Sequence, residues 1–274
     1  MIGTLFAQDA RASWKKILGS IGIALLVAAV SFAIAALRVP VLEPLLFGLG
    51  VIVVALITPF VLGLLVEHYW RTMYGREGYF TMALPVRGGA LFSAKVLYGI
   101  AAALFALAVT AAGLVGATVS ASLSQRRAPF AVLEEFARAI DAPMLWFFAG
   151  AIAVQIVFTV VTGAAIISIG SEGRFNHLGF GAPVLGYVGL YLAMQVLGLA
   201  AMLFIPFGLS ILGPDSGSIV WEGMLGEFIA AVSDPSGETP PSIVGMGIIP
   251  LSVVVAGAFW WWGARSVERR TSLR

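Results

Sequence analysis

Six apolar runs without a single Asp, Glu, Lys or Arg constrain this chain more than any other feature. They cover residues 17–37, 44–66, 96–119, 143–169, 183–212 and 243–263. At about 1.5 Å of helical rise per residue, each can cross about 30 Å of hydrocarbon. A backbone in lipid has no water to bond, so a continuous run of this length satisfies its N–H and C=O groups as a helix. The composition agrees. The chain is 60% hydrophobic and 11% charged, with a mean hydropathy of +1.00, whereas soluble domains carry about 25% charged residues. The expected fold class is all-α: a polytopic membrane protein with six transmembrane helices and short amphipathic surface helices.

Several function classes fall away at once. The net charge is only +2 and the basic residues are dispersed, so no nucleic-acid partner is expected. The absence of cysteine excludes disulfides, thiolate metal sites and cysteine nucleophiles. Two histidines, His68 and His177, are too few for a histidine-rich metal centre. No metal site is expected.

Basic residues also orient the spans. With the N-terminus inside, the inner segments hold Arg11, Lys15, Lys16, Arg71, Arg76, Arg87, Lys95, Arg174, Arg265, Arg269, Arg270 and Arg274. The outer segments keep only Arg38, Arg126, Arg127 and Arg138. This bias puts both termini in the cytoplasm, with Trp260, Trp261 and Trp262 in the inner interfacial belt. The first apolar run, of about 21 residues, exceeds the roughly 7–15 of a signal-peptide core. Residues 1–16 are expected as a separate cytoplasmic interfacial helix, with Ile2, Leu5, Phe6 and Trp14 toward lipid and Lys15 and Lys16 toward headgroups. Residues 17–274 then make a single six-helix transmembrane domain.

On the outer side, Phe130, Leu133, Phe136, Ala137 and Ile140 recur at helical spacing and predict a short amphipathic helix. The loop 213–242 is turn-rich at both ends, and its middle, 219–229, is apolar enough to lie on or dip into the membrane. Pro206 predicts a kink or break near the outer end of the fifth span. No run contains a Gly-xxx-Gly pair, so close helix packing is not specified by that motif.

No catalytic constellation emerges. A phosphate-binding loop needs a glycine-rich turn followed by Lys and Ser or Thr, and Lys15, Lys16 and Lys95 sit in no such pattern. Glu134-Glu135 and Arg138 resemble a diglutamate protease motif, but the spacing is one residue short and no span supplies histidine. Ser168 and Ser171 likewise lack a histidine partner. The apolar runs hold no ionisable group to mark an ion pathway. Their polar residues are Ser31, Thr58, Thr110, Gln155, Thr159, Thr162 and Gln195, groups that more often hydrogen-bond between helices than bind substrate. Gln155, Thr159 and Gln195 are the possible pathway residues. The chain is not expected to be an enzyme.

The segment 67–95 remains. Glu67-His68-Tyr69-Trp70-Arg71 carries the second helix into the headgroup layer, and Gly75 and Gly78 permit a sharp change of direction. Tyr79, Phe80, Met82 and Leu84 give one short turn an apolar face, Pro85 stops it, and Gly88-Gly89 leads into the third helix. Such aromatics suit either a protein groove or the lipid interface.

The run Tyr74-Gly75-Arg76-Glu77-Gly78-Tyr79-Phe80-Thr81-Met82-Ala83-Leu84-Pro85-Val86, followed by Leu91-Phe92-Ser93-Ala94-Lys95, resembles the segment after the second helix in bacterial type-2 ABC exporter permeases. The shared pattern is a Gly-x-Glu-Gly-Tyr core, a Thr-x-x-Leu-Pro step and a Ser-x-Lys start to the third helix. The match covers about 25 residues, and the six-span plan, inside termini and large loop before the last helix agree with it. The resemblance implies that Tyr74, Arg76, Glu77, Gly78, Tyr79, Phe80, Thr81, Leu84 and Pro85 couple to a separate nucleotide-binding ATPase subunit. It also implies a second permease chain, identical or homologous, in the bacterial cytoplasmic membrane. ATP and Mg²⁺ would be bound by the partner, with no cofactor in this chain. The rival expectation is an ATPase-independent scaffold or receptor that binds a ligand on its acid-rich outer loops.

Overall fold

The computed structural model describes residues 2–75, 77–140, 142–179, 181–211, 217–233 and 242–269. Among them, six helices are long and apolar enough to cross a membrane: α1 (Ile2–Ala35), α2 (Leu42–Met73), α4 (Gly88–Ser124), α6 (Ala142–Gly170), α7 (Gly181–Phe204) and α9 (Ile248–Arg269). Shorter helices are α3 (Gly78–Met82), α5 (Ala131–Ala139) and α8 (Leu225–Ser233). The protein is therefore an all-α polytopic membrane protein. It divides into two compact units, Met1–Ala139 with Ala264–Arg274, and Ile140–Gly263.

In the first unit α1, α2 and α4 pack on one another. Ala28, Phe32, Val54 and Ala117 form a buried core backed by Phe47, Val51 and Val53. Single glycines set the close approaches. A Cβ on Gly50 would stand 2.5 Å from the Phe32 ring, and one on Gly113 would stand 2.7 Å from Val54. Lipid supplies no hydrophobic drive between helices, so such contacts and interhelical hydrogen bonds hold them together. Thr58 and Thr110 hydroxyls bond at 2.8 Å, and Ser120 Oγ donates to Phe32 O at 2.9 Å. Thr58 and Thr110 thus serve packing, the commoner use of such groups. Arg38 donates from Nη2 to Leu123 O, satisfying a carbonyl in the last turn of α4.

The N-terminus departs from expectation. Residues 1–16 do not form a separate surface helix; α1 runs unbroken from Ile2. The reason lies on one face, where Asp9, Ser13, Ile17 and Ile21 repeat every four residues and are all buried. Phe6 and Trp14 are half-buried and turn toward α4. Phe6 packs edge-on against Tyr98 at 5.6 Å between ring centres, and Trp14 against Phe105 at 5.1 Å.

In the second unit α6 and α7 form a hairpin through a short 3₁₀ turn (Gly173–Leu178). Gly170 lets them close, since a Cβ there would stand 2.7 Å from Pro183 N. The fifth span ends at Phe204, not at 212. Pro206 lacks an N–H and its ring would clash with the preceding turn, so the proline breaks the helix outright. The chain then enters a small antiparallel sheet of β1 (Gly208–Ser210), β2 (Ile219–Val220) and β3 (Ile243–Gly245), in order β2-β1-β3. The run 219–229 accordingly opens as strand, and its helix is α8 over Leu225–Ser233. The rest of the loop, 212–216 and 234–241, lies outside the described residues. β3 takes the first three residues assigned to the sixth span, and the helix itself begins at Ile248 and continues to Arg269.

Candidate functional site

The connection from α2 to α4 is built as a stiff bracket. Backbone amides of Tyr74 and Gly75 both donate to Trp70 O, at 2.8 and 2.9 Å, closing the end of α2. A Cβ on Gly75 would stand 2.8 Å from Arg71 O, so only glycine fits this bend. Gly78 N donates to Gly75 O at 2.9 Å and starts α3. Arg71 Nε meets Glu77 Oε1 at 3.2 Å, tying the last turn of α2 to the residue before α3. Tyr74 stacks obliquely on Tyr69 and Trp70. Arg76 lies outside the described residues.

Of the residues expected to contact a partner, three apolar ones are turned outward. Phe80 is 81% exposed, Tyr79 55% and Leu84 36%. Glu77 and Pro85 are exposed, while Gly78 is buried and Thr81 is half-buried, donating from Oγ1 to Glu77 O. Gly88, at the foot of the bracket, does more than lead into a helix. A Cβ there would stand 2.8 Å from Glu268 Cα, so the last turns of α9 rest on the backbone at the start of α4.

Beneath the bracket is a buried polar cluster that sequence reasoning missed. Asp9 on α1 accepts at Oδ1 from Lys95 Nζ of α4 (2.8 Å) and from His68 Nε2 of α2 (3.1 Å). Lys95 also donates to Thr72 Oγ1 at 3.0 Å, and the Thr72 hydroxyl in turn donates to His68 O at 2.8 Å. Ser13 bonds the Tyr98 hydroxyl. Asp9, His68, Thr72 and Lys95 are each no more than 8% exposed. His68 Nδ1 is buried without a hydrogen-bond partner among the described residues. One carboxylate therefore clamps both arms of the bracket to α1. The signal available in the sequence was spacing: Asp9 and Ser13, and His68 and Thr72, each fall four apart, on one helix face. Nothing in the sequence paired those faces.

The possible pathway residues lie in the second unit. Gln155 is exposed on α6, and Ser252 of α9 donates to its Oε1 at 3.4 Å. Thr159 donates its hydroxyl to Gln155 O at 2.8 Å, so its proton is spent on its own helix. Gln195 is exposed on α7. The structure links Gln155 to Thr159 and does not bring Gln195 to them.

Glu134 and Glu135 are both taken by arginines. Arg138 meets Glu134 at 3.1 Å one turn along α5, and Arg127 forks onto Glu135. That hydrogen bond from Arg127 holds the Glu135 carboxyl below the usual carboxylate range. The Arg127–Glu135 pair ties α5 to the end of α4. No group of three or more His, Cys, Asp or Glu able to hold a metal occurs among the described residues. Comparison with protein-family models, with curated proteins and with solved structures returns no match.

Proposed function

We propose that this chain is the membrane-spanning permease subunit of an ATP-driven ABC exporter of the type-2 class. A separate nucleotide-binding subunit hydrolyses ATP with Mg²⁺, and a second permease chain, identical or homologous, completes the transporter in the bacterial cytoplasmic membrane. Both termini and the α2–α4 bracket then face the cytoplasm. The cargo is a peptide, a lipid or a drug-like molecule.

The observation that carries this reading is the pose of α3. A five-residue helix presents Phe80 and Tyr79 outward, from a bend that only glycine permits, on arms clamped by Asp9. Aromatic anchors on a rigid mount suit a groove in a partner protein. A loop meant only to rest in lipid needs no such mount. The clamp gives the mechanism its stiffness: a push on α3 moves α2 and α4 together, and α1 with them, as rigid-body transitions require.

The test is to co-express the tagged chain with its genomic neighbours, purify it in mild detergent, and assay for a stoichiometric partner with vanadate-sensitive ATP hydrolysis. Phe80→Ala and Tyr79→Ala should each weaken partner retention by about 2 kcal/mol, roughly 30-fold. Glu77→Ala should leave the complex assembled and uncouple hydrolysis from transport. A chain that elutes alone and inactive would transfer the assignment to an ATPase-independent scaffold or receptor.

A further inference from the structure

Most described cations near the cluster have a carboxylate. Lys95 pairs with Asp9, Lys16 with Glu67 at 2.6 Å, and Arg71 with Glu77. Arg11 and Lys15 pair with none among the described residues. One helical turn apart on α1, both line a cavity of about 660 Å³ between α1 and α4. Apart from these two side chains its walls are apolar and aromatic, with Phe6 and Trp14 on one side and Tyr98 on the other. Its size is within the roughly 300–1,000 Å³ of small-molecule sites.

Depth selects the ligand. The charge-free stretch of α1 begins at Ile17, so Arg11 and Lys15 stand where the hydrocarbon gives way to headgroups. A ligand there needs an anionic head for two uncompensated cations and an acyl chain for the aromatic walls. Basic pockets between transmembrane helices at this depth attract anionic lipid headgroups. We propose that the α1–α4 cavity is a specific site for an anionic glycerophospholipid, its phosphate held by Arg11 and Lys15 and its chain against Trp14 and Tyr98. The site does not depend on the exporter assignment. Its inner wall, Tyr98, is bonded to Ser13 one turn from Asp9, so the lipid seals the clamp from the bilayer side.

The full chain in mild detergent is titrated with phosphatidylglycerol or phosphatidylcholine of identical acyl chains, and bound lipid is counted by native mass spectrometry. Phosphatidylglycerol should be retained at roughly 10- to 30-fold lower concentration, the effect of two interfacial cations. The double variant Arg11→Gln/Lys15→Gln should erase that preference, and it should fold, since neither cation has a partner to lose. Lys16→Gln, outside the cavity, should keep the preference. Ala101→Trp, which fills the cavity and leaves both cations, should lose the retained lipid. Equal retention of the two lipids, or a preference unchanged in the double variant or in Ala101→Trp, would overturn the site. Displacement of phosphatidylglycerol by millimolar inorganic phosphate would reassign it to a free anion.

Discussion

Asp9 serves Lys95 and His68 from a single oxygen at 7% exposure, so removing Asp9 strands both partners, and removing Lys95 leaves the buried carboxylate without its ammonium. Breaking a buried pair from one side costs about 3–5 kcal/mol. Asp9→Asn and Lys95→Met should therefore each lower stability by that order in thermal unfolding of the detergent-purified chain. Thr72→Val should cost about 1–3 kcal/mol, the penalty for one buried donor left unmet. Phe80→Ala should leave the midpoint unchanged within about 0.5 kcal/mol, because the ring is exposed. The contrast separates the two halves of the site: the clamp is read out in stability and α3 in partner retention. Of the two, α3 was legible in the chain, since Gly75, Gly78, Tyr79, Phe80 and Pro85 are neighbours whose local roles suffice. The clamp was not, because Asp9, His68 and Lys95 lie about 59 and 86 positions apart along the chain and become one group only through packing.

Several of the closest helix-to-helix approaches in this protein are made at isolated glycines. Gly88→Leu should push the end of α9 off the start of α4 and destabilise the protein by about 1–3 kcal/mol, as overpacking does. Gly50→Leu should act alike through Phe32. Gly116→Ala is the control: nothing stands within 4 Å of a Cβ there, so the change should be neutral or stabilise the helix by about 0.5–1 kcal/mol. Thermal midpoints of the three variants decide the matter. A midpoint for Gly88→Leu equal to that of the parent would dissolve the contact between α9 and the bracket. Gly50 was hidden because a glycine in an apolar run looks the same whether a neighbour touches it or lipid does. Pro206 is the opposite case. Its chemistry announced a break in the fifth span, but the small sheet beyond it exists only because β1 finds β2 and also β3, which lies well downstream.

At the scale of the whole chain, an odd number of crossings must separate α3 from the loop before α5. The protein has no cysteine, so single cysteines can be placed without background. A membrane-impermeant maleimide added to intact cells should label Phe130→Cys and leave Phe80→Cys and Thr4→Cys untouched, with the pattern reversed in inverted vesicles. Labelling of positions 80 and 130 from the same side would refute α4 as a span. The sequence by itself determined the class of the protein, the number of crossings and the place of the polar connection, because hydrocarbon admits so few backbone solutions and tolerates so few charges. Tertiary structure alone decided that α1 starts at Ile2, that Asp9 is a clamp, that Phe6 and Trp14 face α4, and that glycines set the helix contacts. Those outcomes depend on which faces meet, and the free energy of a buried charge or a close backbone approach is set by its neighbour across the interface.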